Sequence, residues 1–207
     1  MSESIRTGVG MVLSADIAVP EHEREVRFYS RVLTTGAEPL WQNDLMNNRG
    51  MPVIGLGERI PEYESLPLQW MPHTQVADVA ASAARAVALG GRELMHHRDE
   101  AGASQWAVLE DPGGAAFGII PVVPAEAIPA VPPGPMGRIA WLDLTVEDAP
   151  ARRDFYRDVI GWMVEELAMG PEDDRYADYM MLAADGEGAA GVCHARGSNA
   201  ELPPVWL

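Results

Sequence analysis

Apolar and polar residues alternate along two short runs, and each run gives way to a charged segment with a longer period. In residues 12–19, Leu13, Ala15, Ile17 and Val19 are apolar, with Ser14 and Asp16 between them. In residues 141–146, Leu142, Leu144 and Val146 alternate with Asp143 and Thr145. Period-two alternation predicts strands with one face on a core and the other turned elsewhere. The segments DIAVPEHEREVRFYSRVLTT (16–35) and DLTVEDAPARRDFYRDVIGW (143–162) both run on to Phe-Tyr and a branched apolar pair. Phe155 follows Phe28 by 127 positions, and the same offset aligns Asp16 with Asp143 and Val19 with Val146. A weaker copy, MPHTQVADVAASAARAVALGG (71–91), lies 57 positions after the first. Its helix is predicted from Val79, Ala83 and Val87, with Asp78 as N-cap and Gly90-Gly91 as stop. Ala151, Phe155 and Val159 repeat that spacing. Each helix should cover the apolar face of its own sheet, leaving the other face to line a cavity.

Short strands are expected after each helix, at 37–41, 45–49 and 51–57, then at 92–97, 104–110 and 115–121. DPGG at 111–114 is a hairpin signal between the last two. The unit therefore reads β-α-β-β-β. Two units make a complete domain over 1–123, a proline-rich linker covers 124–136, and 137–207 hold a half-domain. ELPPVWL (201–207) repeats SLPLQWM (65–71) at Leu, Pro and Trp, so the chain reaches the opening of a fourth unit. The expected fold class is α+β: paired βαβββ modules forming a curved mixed sheet around a cavity, helices on the outer face. A half-domain leaves a sheet face and an edge open, and a homodimer or domain-swapped oligomer is the expected response.

Composition narrows the function classes. A formal net charge of −16 disfavours nucleic acid as a partner. No run approaches the roughly 18 apolar residues of a membrane span. MSESIRTGVG lacks a basic region followed by an apolar run. The single cysteine, Cys193, excludes an internal disulfide. A cytoplasmic protein without membrane partner is the expectation.

The repeated strand, the Asp, the Phe-Tyr helix and the DPxG hairpin together resemble the vicinal oxygen chelate superfamily, which includes glyoxalases, bleomycin-resistance proteins and extradiol dioxygenases. The tandem layout is similar to actinobacterial glyoxalase-like proteins. The resemblance implies a divalent metal held by His, Gln or Glu on each first strand and Glu on each last strand. The corresponding positions here are Ser14, Met71 and Trp141, with Gly118, Gly55 and Gly191 on the last strands. None is a good ligand, so no metal and no other cofactor is expected, a divalent metal being the alternative.

Asp16 and His73 are equivalent positions in units one and two, and both should face the cavity. A carboxylate beside an imidazole can fix its tautomer for acid–base work, bind a ligand, or be a structural pair. They are the only catalytic candidates. Gln75 shares the His73 face, and Trp41, Met71 and Trp106 could add apolar wall. Trp70 is expected in the core, and His96-His97 at the surface. The expected function is metal-free binding of a small, partly apolar ligand in the first cavity, as in antibiotic-sequestering relatives. One alternative is a metal-dependent glyoxalase or dioxygenase, which would need His73, Asp16, Glu110 or His194 to converge. Another is a metal-independent lyase or isomerase using Asp16 and His73.

Overall fold

The computed structural model describes residues 7–41, 45–127 and 139–207, without the side chains of Trp41 and Leu45. Most of the expected linker, from residue 128 on, lies outside the described residues.

The first sheet has eight strands: β1 (Val12–Val19), β2 (Leu40–Trp41), β3 (Leu45–Asn48), β4 (Met51–Glu58), β5 (Met71–Val76), β6 (Arg92–Arg98), β7 (Ser104–Glu110) and β8 (Ala116–Pro121). Their spatial order is β2-β3-β4-β1-β5-β8-β7-β6. Helices α1 (His22–Val32) and α2 (Val79–Ala88) follow β1 and β5. Each first strand is parallel to the last strand of its own unit, β1 to β4 and β5 to β8. The two first strands are antiparallel, with Ser14 opposite His73, Ala15 opposite Pro72 and Asp16 opposite Met71. The 57-residue repeat makes this pairing symmetrical about Ala15 and Pro72, so both units turn one concave face to the same space.

The second sheet holds β9 (Asp143–Val146), β10 (Met163–Met169), β11 (Tyr176–Leu182) and β12 (Gly188–His194), in the order β10-β11-β12-β9, with α3 (Ala149–Ile160) between β9 and β10. Asp143 and Leu207 exchange two backbone hydrogen bonds of 3.0 Å. Leu207 thus stands against Asp143 as Met71 stands against Asp16.

Helices α2 and α3 pack on one another and share one core with both sheets. Phe117, Phe155, Tyr156, Trp162 and Trp206 form its aromatic centre, with ring centroids 5.1–6.3 Å apart in mostly edge-on contacts. The first sheet reaches the second again through Gly10, whose carbonyl accepts the Trp162 indole N–H at 2.7 Å. A Cβ there would meet that indole at 2.7 Å, and the backbone has φ +88°, so the contact favours glycine. Asp78 and Asp148 cap α2 and α3 through the amides of Ala81 and Ala151.

The helical stripes differ in detail from expectation. In α2 the buried residues are Val79, Ser82, Ala83 and Ala86, and Val87 is exposed; α2 packs on the sheet and on α3, where Arg85 donates to the Asp158 carbonyl at 2.9 Å. Phe155 is 4% exposed, yet its repeat equivalent Phe28 is 54% exposed. The difference is the neighbour. Helix α3 has α2 against it, whereas α1 lies on β1 and β4 with no buried residue of its own. No helix among the described residues is long and apolar enough to cross a membrane.

Candidate functional site

One arrangement occurs three times. Asp16 on β1 lies beside Gly55 on β4, His73 on β5 beside Gly118 on β8, and Asp143 on β9 beside Gly191 on β12. In each case the polar side chain lies across the glycine, and a Cβ built on that glycine would overlap it. The glycines are therefore not simply lost side chains. They make room for the first-strand residue to lie flat on the sheet.

Across the β1–β5 pair, the two first-domain residues meet. His73 Nδ1 is 3.2 Å from Asp16 Oδ2 and 3.1 Å from the Met71 carbonyl oxygen. Ser14 donates its hydroxyl hydrogen to Asp16 Oδ1 at 2.7 Å. The His73 and Asp16 side chains are 12% and 29% exposed, so both are reachable from a cavity of about 500 Å³. That volume lies in the range of small-molecule sites. Leu66, Met71, Met95, Trp106, Val108 and Ile120 supply apolar wall, with Tyr63 beside them. A smaller cleft of about 190 Å³, between the sheets, has only apolar residues and no titratable group.

Asp16, Met71, His73 and Trp106 all line the larger cavity. Gln75 does not. Its side chain is fully buried, accepting the Val123 amide at 2.9 Å and donating to the Met11 carbonyl at 3.4 Å, so it holds backbone together. The Trp41 side chain is outside the described residues. His96 is not a surface residue: its side chain is 6% exposed and bonds Glu93 and Ser104 at 2.9 Å. His97 is exposed and stacks on Trp106, with centroids 5.5 Å apart. Glu110 is held by Arg92 at 2.9 Å, and His194 belongs to the second sheet with Asp178 at 3.1 Å. Neither converges on Asp16 and His73. Tyr63 and Leu66 come from the connection before β5, where no alternation marks them, and Met95 faces the cavity from β6.

The metal that the fold family implies does not fit these residues. Its positions hold a hydroxyl, a thioether and two glycines, and the space above the glycines is filled by Asp16 and His73. Among the described residues no group of three or more His, Cys, Asp or Glu could hold a metal ion.

In the second sheet, Trp141 donates its indole N–H to Asp143 Oδ1 at 2.8 Å, and the Cys193 thiol lies 3.8 Å from the same oxygen. Burial, then the Asp143 and Asp178 carboxylates, push the Cys193 thiol up to about 12. Folding therefore favours the neutral thiol. That contribution is complete below the ordinary thiol value of about 9 and is lost as pH rises from there toward 12. Iodoacetamide at pH 7.5 is expected to leave the native thiol largely unmodified and to label it fast in urea, as read by mass spectrometry. Rapid labelling of the folded protein would refute this environment.

Paired modules with antiparallel first strands and a polar pair on the concave face have the vicinal oxygen chelate fold. Residues 13–120 match the sequence model of the Glyoxalase-like domain, and the chain belongs to that family. It is 29% identical over 102 residues to the anthracycline biosynthesis protein DauV of Streptomyces sp. (strain C5), covering 48% of this chain and 36% of that protein. Among solved structures, it is similar to homoprotocatechuate 2,3-dioxygenase from Brevibacterium fuscum, in complex with 3,4-dihydroxyphenylacetate. That match has a TM-score of 0.57 and 15% identity, over 94% of this chain and 63% of that one. It is also similar to the Mn(II)-bound glyoxalase from Novosphingobium aromaticivorans, with a TM-score of 0.56 and 13% identity over 91% and 63%.

Proposed function

We propose that the first cavity binds a small, partly apolar molecule without a metal ion. The observation that carries this reading is the placement of Asp16 and His73 across Gly55 and Gly118, where metal-ligating side chains would otherwise stand. A polar pair under an apolar wall is the usual composition of a small-molecule pocket. The similarity to a protein named for anthracycline biosynthesis supports a ring-bearing occupant.

The test uses 2-naphthol as a bicyclic probe. Saturating probe is expected to raise the melting temperature, and the rise should survive treatment with EDTA. His73→Ala should lose most of it. A shift that appears only after Mn(II) or Ni(II) is added would favour the metal-dependent enzyme instead. An unchanged shift in His73→Ala would remove His73 from the site.

A second reading, a metal-independent lyase or isomerase, is favoured by one observation. His73 Nδ1 is held between two oxygens, which orients the ring as a general base requires. Deuterium exchange next to the carbonyl of 2-tetralone, catalysed by the wild type and lost in His73→Ala, would support it.

A further inference from the structure

The direction of each hydrogen bond at the cavity floor says what an occupant must bring. The Ser14 hydroxyl has one hydrogen, and Asp16 Oδ1 takes it at 2.7 Å. The neighbours of His73 Nδ1, Asp16 Oδ2 at 3.2 Å and the Met71 carbonyl at 3.1 Å, are both acceptors, so Nδ1 carries the ring proton. In the neutral ring, Nε2 then has a lone pair and no hydrogen. It lies over Gly118 on the cavity side and has no hydrogen-bond partner among the described residues. Asp16 is a carboxylate and offers only lone pairs. Ser14, Asp16 and His73 are themselves paired within the sheet, the register shifting only between Val12 and Ser14. The side-chain donors of the floor are thus consumed inside it, and the side-chain atoms it turns to the cavity are acceptors. The remaining donor-bearing side chains, Tyr63 and Trp106, belong to the wall.

We infer that the cavity selects apolar ring compounds carrying a free hydroxyl and rejects their ethers and carboxylates. This rests on the cavity being the binding site. A hydroxyl satisfies Nε2 or the Asp16 carboxylate. An ether leaves these acceptors desolvated and unpaired, and a carboxylate adds a like charge beside Asp16. The specificity comes from hydrogen-bond direction at the floor.

Three probes of one ring system separate the cases by calorimetric titration: 2-naphthol, 2-methoxynaphthalene and 2-naphthoate. The expected result is 2-naphthol bound at least about tenfold more tightly than the ether, the gain typical of one hydrogen bond to a charged group, with 2-naphthoate weakest. Asp16→Asn puts an amide donor on the floor and should narrow the gap between naphthol and ether. Equal binding of naphthol and ether to wild type would overturn the inference while leaving the cavity as the site. Tightest binding of 2-naphthoate would overturn it in the same way. Binding of none of the three would remove the cavity reading and this inference together. A preference for naphthol that is unchanged in both Asp16→Asn and His73→Ala would locate the selection elsewhere and also refute it.

Discussion

Asp111→Ala is expected to destabilise the fold by about 3–5 kcal/mol, the usual cost of stripping one partner from a buried ionic network. Asp111 opens the DPGG turn, and its side chain is fully buried. Its Oδ1 accepts the amides of Gly113 and Ala115 at 2.7 and 3.0 Å, which sets the hairpin. Its Oδ2 accepts the Tyr156 hydroxyl at 3.2 Å and lies 3.6 Å from Arg152 Nε, which ties that hairpin to α3. Burial and then the Asp111 carboxylate hold the Tyr156 phenol well above its usual range, so it remains a neutral donor. The Trp206 indole N–H closes the chain onto the same hydroxyl at 3.3 Å. Removing the carboxylate leaves a half-buried guanidinium, a buried phenol and two turn amides without it. Urea denaturation should show a lower midpoint with an unchanged slope, and Tyr156→Phe should cost only about 1 kcal/mol. A loss below about 1 kcal/mol in Asp111→Ala would mean that this network contributes little to joining the two sheets.

Gly118→Ala is expected to weaken 2-naphthol binding about tenfold, to the level of His73→Ala, because one hydrogen bond at the floor is lost. The new methyl would occupy the volume of the His73 ring, so the imidazole must swing off Asp16 and the Met71 carbonyl. A ring on a rotatable side chain can yield, so the stability change should stay below about 1.5 kcal/mol. Nitrogen-15 spectra of the imidazole should lose the single Nδ1–H tautomer. Gly55→Ala should displace Asp16 by the same contact, and the double variant should add little to either single one, since both break one pair. Full-strength binding in Gly118→Ala with the tautomer intact would show that the glycine does not position the histidine.

Much of this was legible in the residues. Alternation placed β1 at 12–19 and β7 at 104–110, as observed, and the 57-residue repeat marked β5 as the counterpart of β1. Asp16 and His73 could be found because the repeat offset carries one onto the other. What sequence could not give was contact across strands. Gly55 and Gly118 read as missing ligands, since a glycine in one row of letters says nothing about which side chain fills its place. Gln75 has the right period for the cavity, yet its amide is captured by Met11 and Val123, both distant in sequence. Phe28 and Phe155 sit in the same motif with opposite burial, because packing depends on which helix lies alongside. Tyr63 and Leu66 reach the cavity from a connection that has no period at all.

The overlap at Gly118 also constrains how this pocket can be re-engineered or diversified. A glutamate at 118 and the flat imidazole at 73 are rival tenants of one volume, so no single replacement converts the floor into an ion-holding one. Changing 118 alone ejects the histidine without completing a coordination set, and changing 73 alone empties the floor. Either single change is expected to weaken binding without creating an ion site, so a library that varies 73 and 118 together is the shortest route between the two floors.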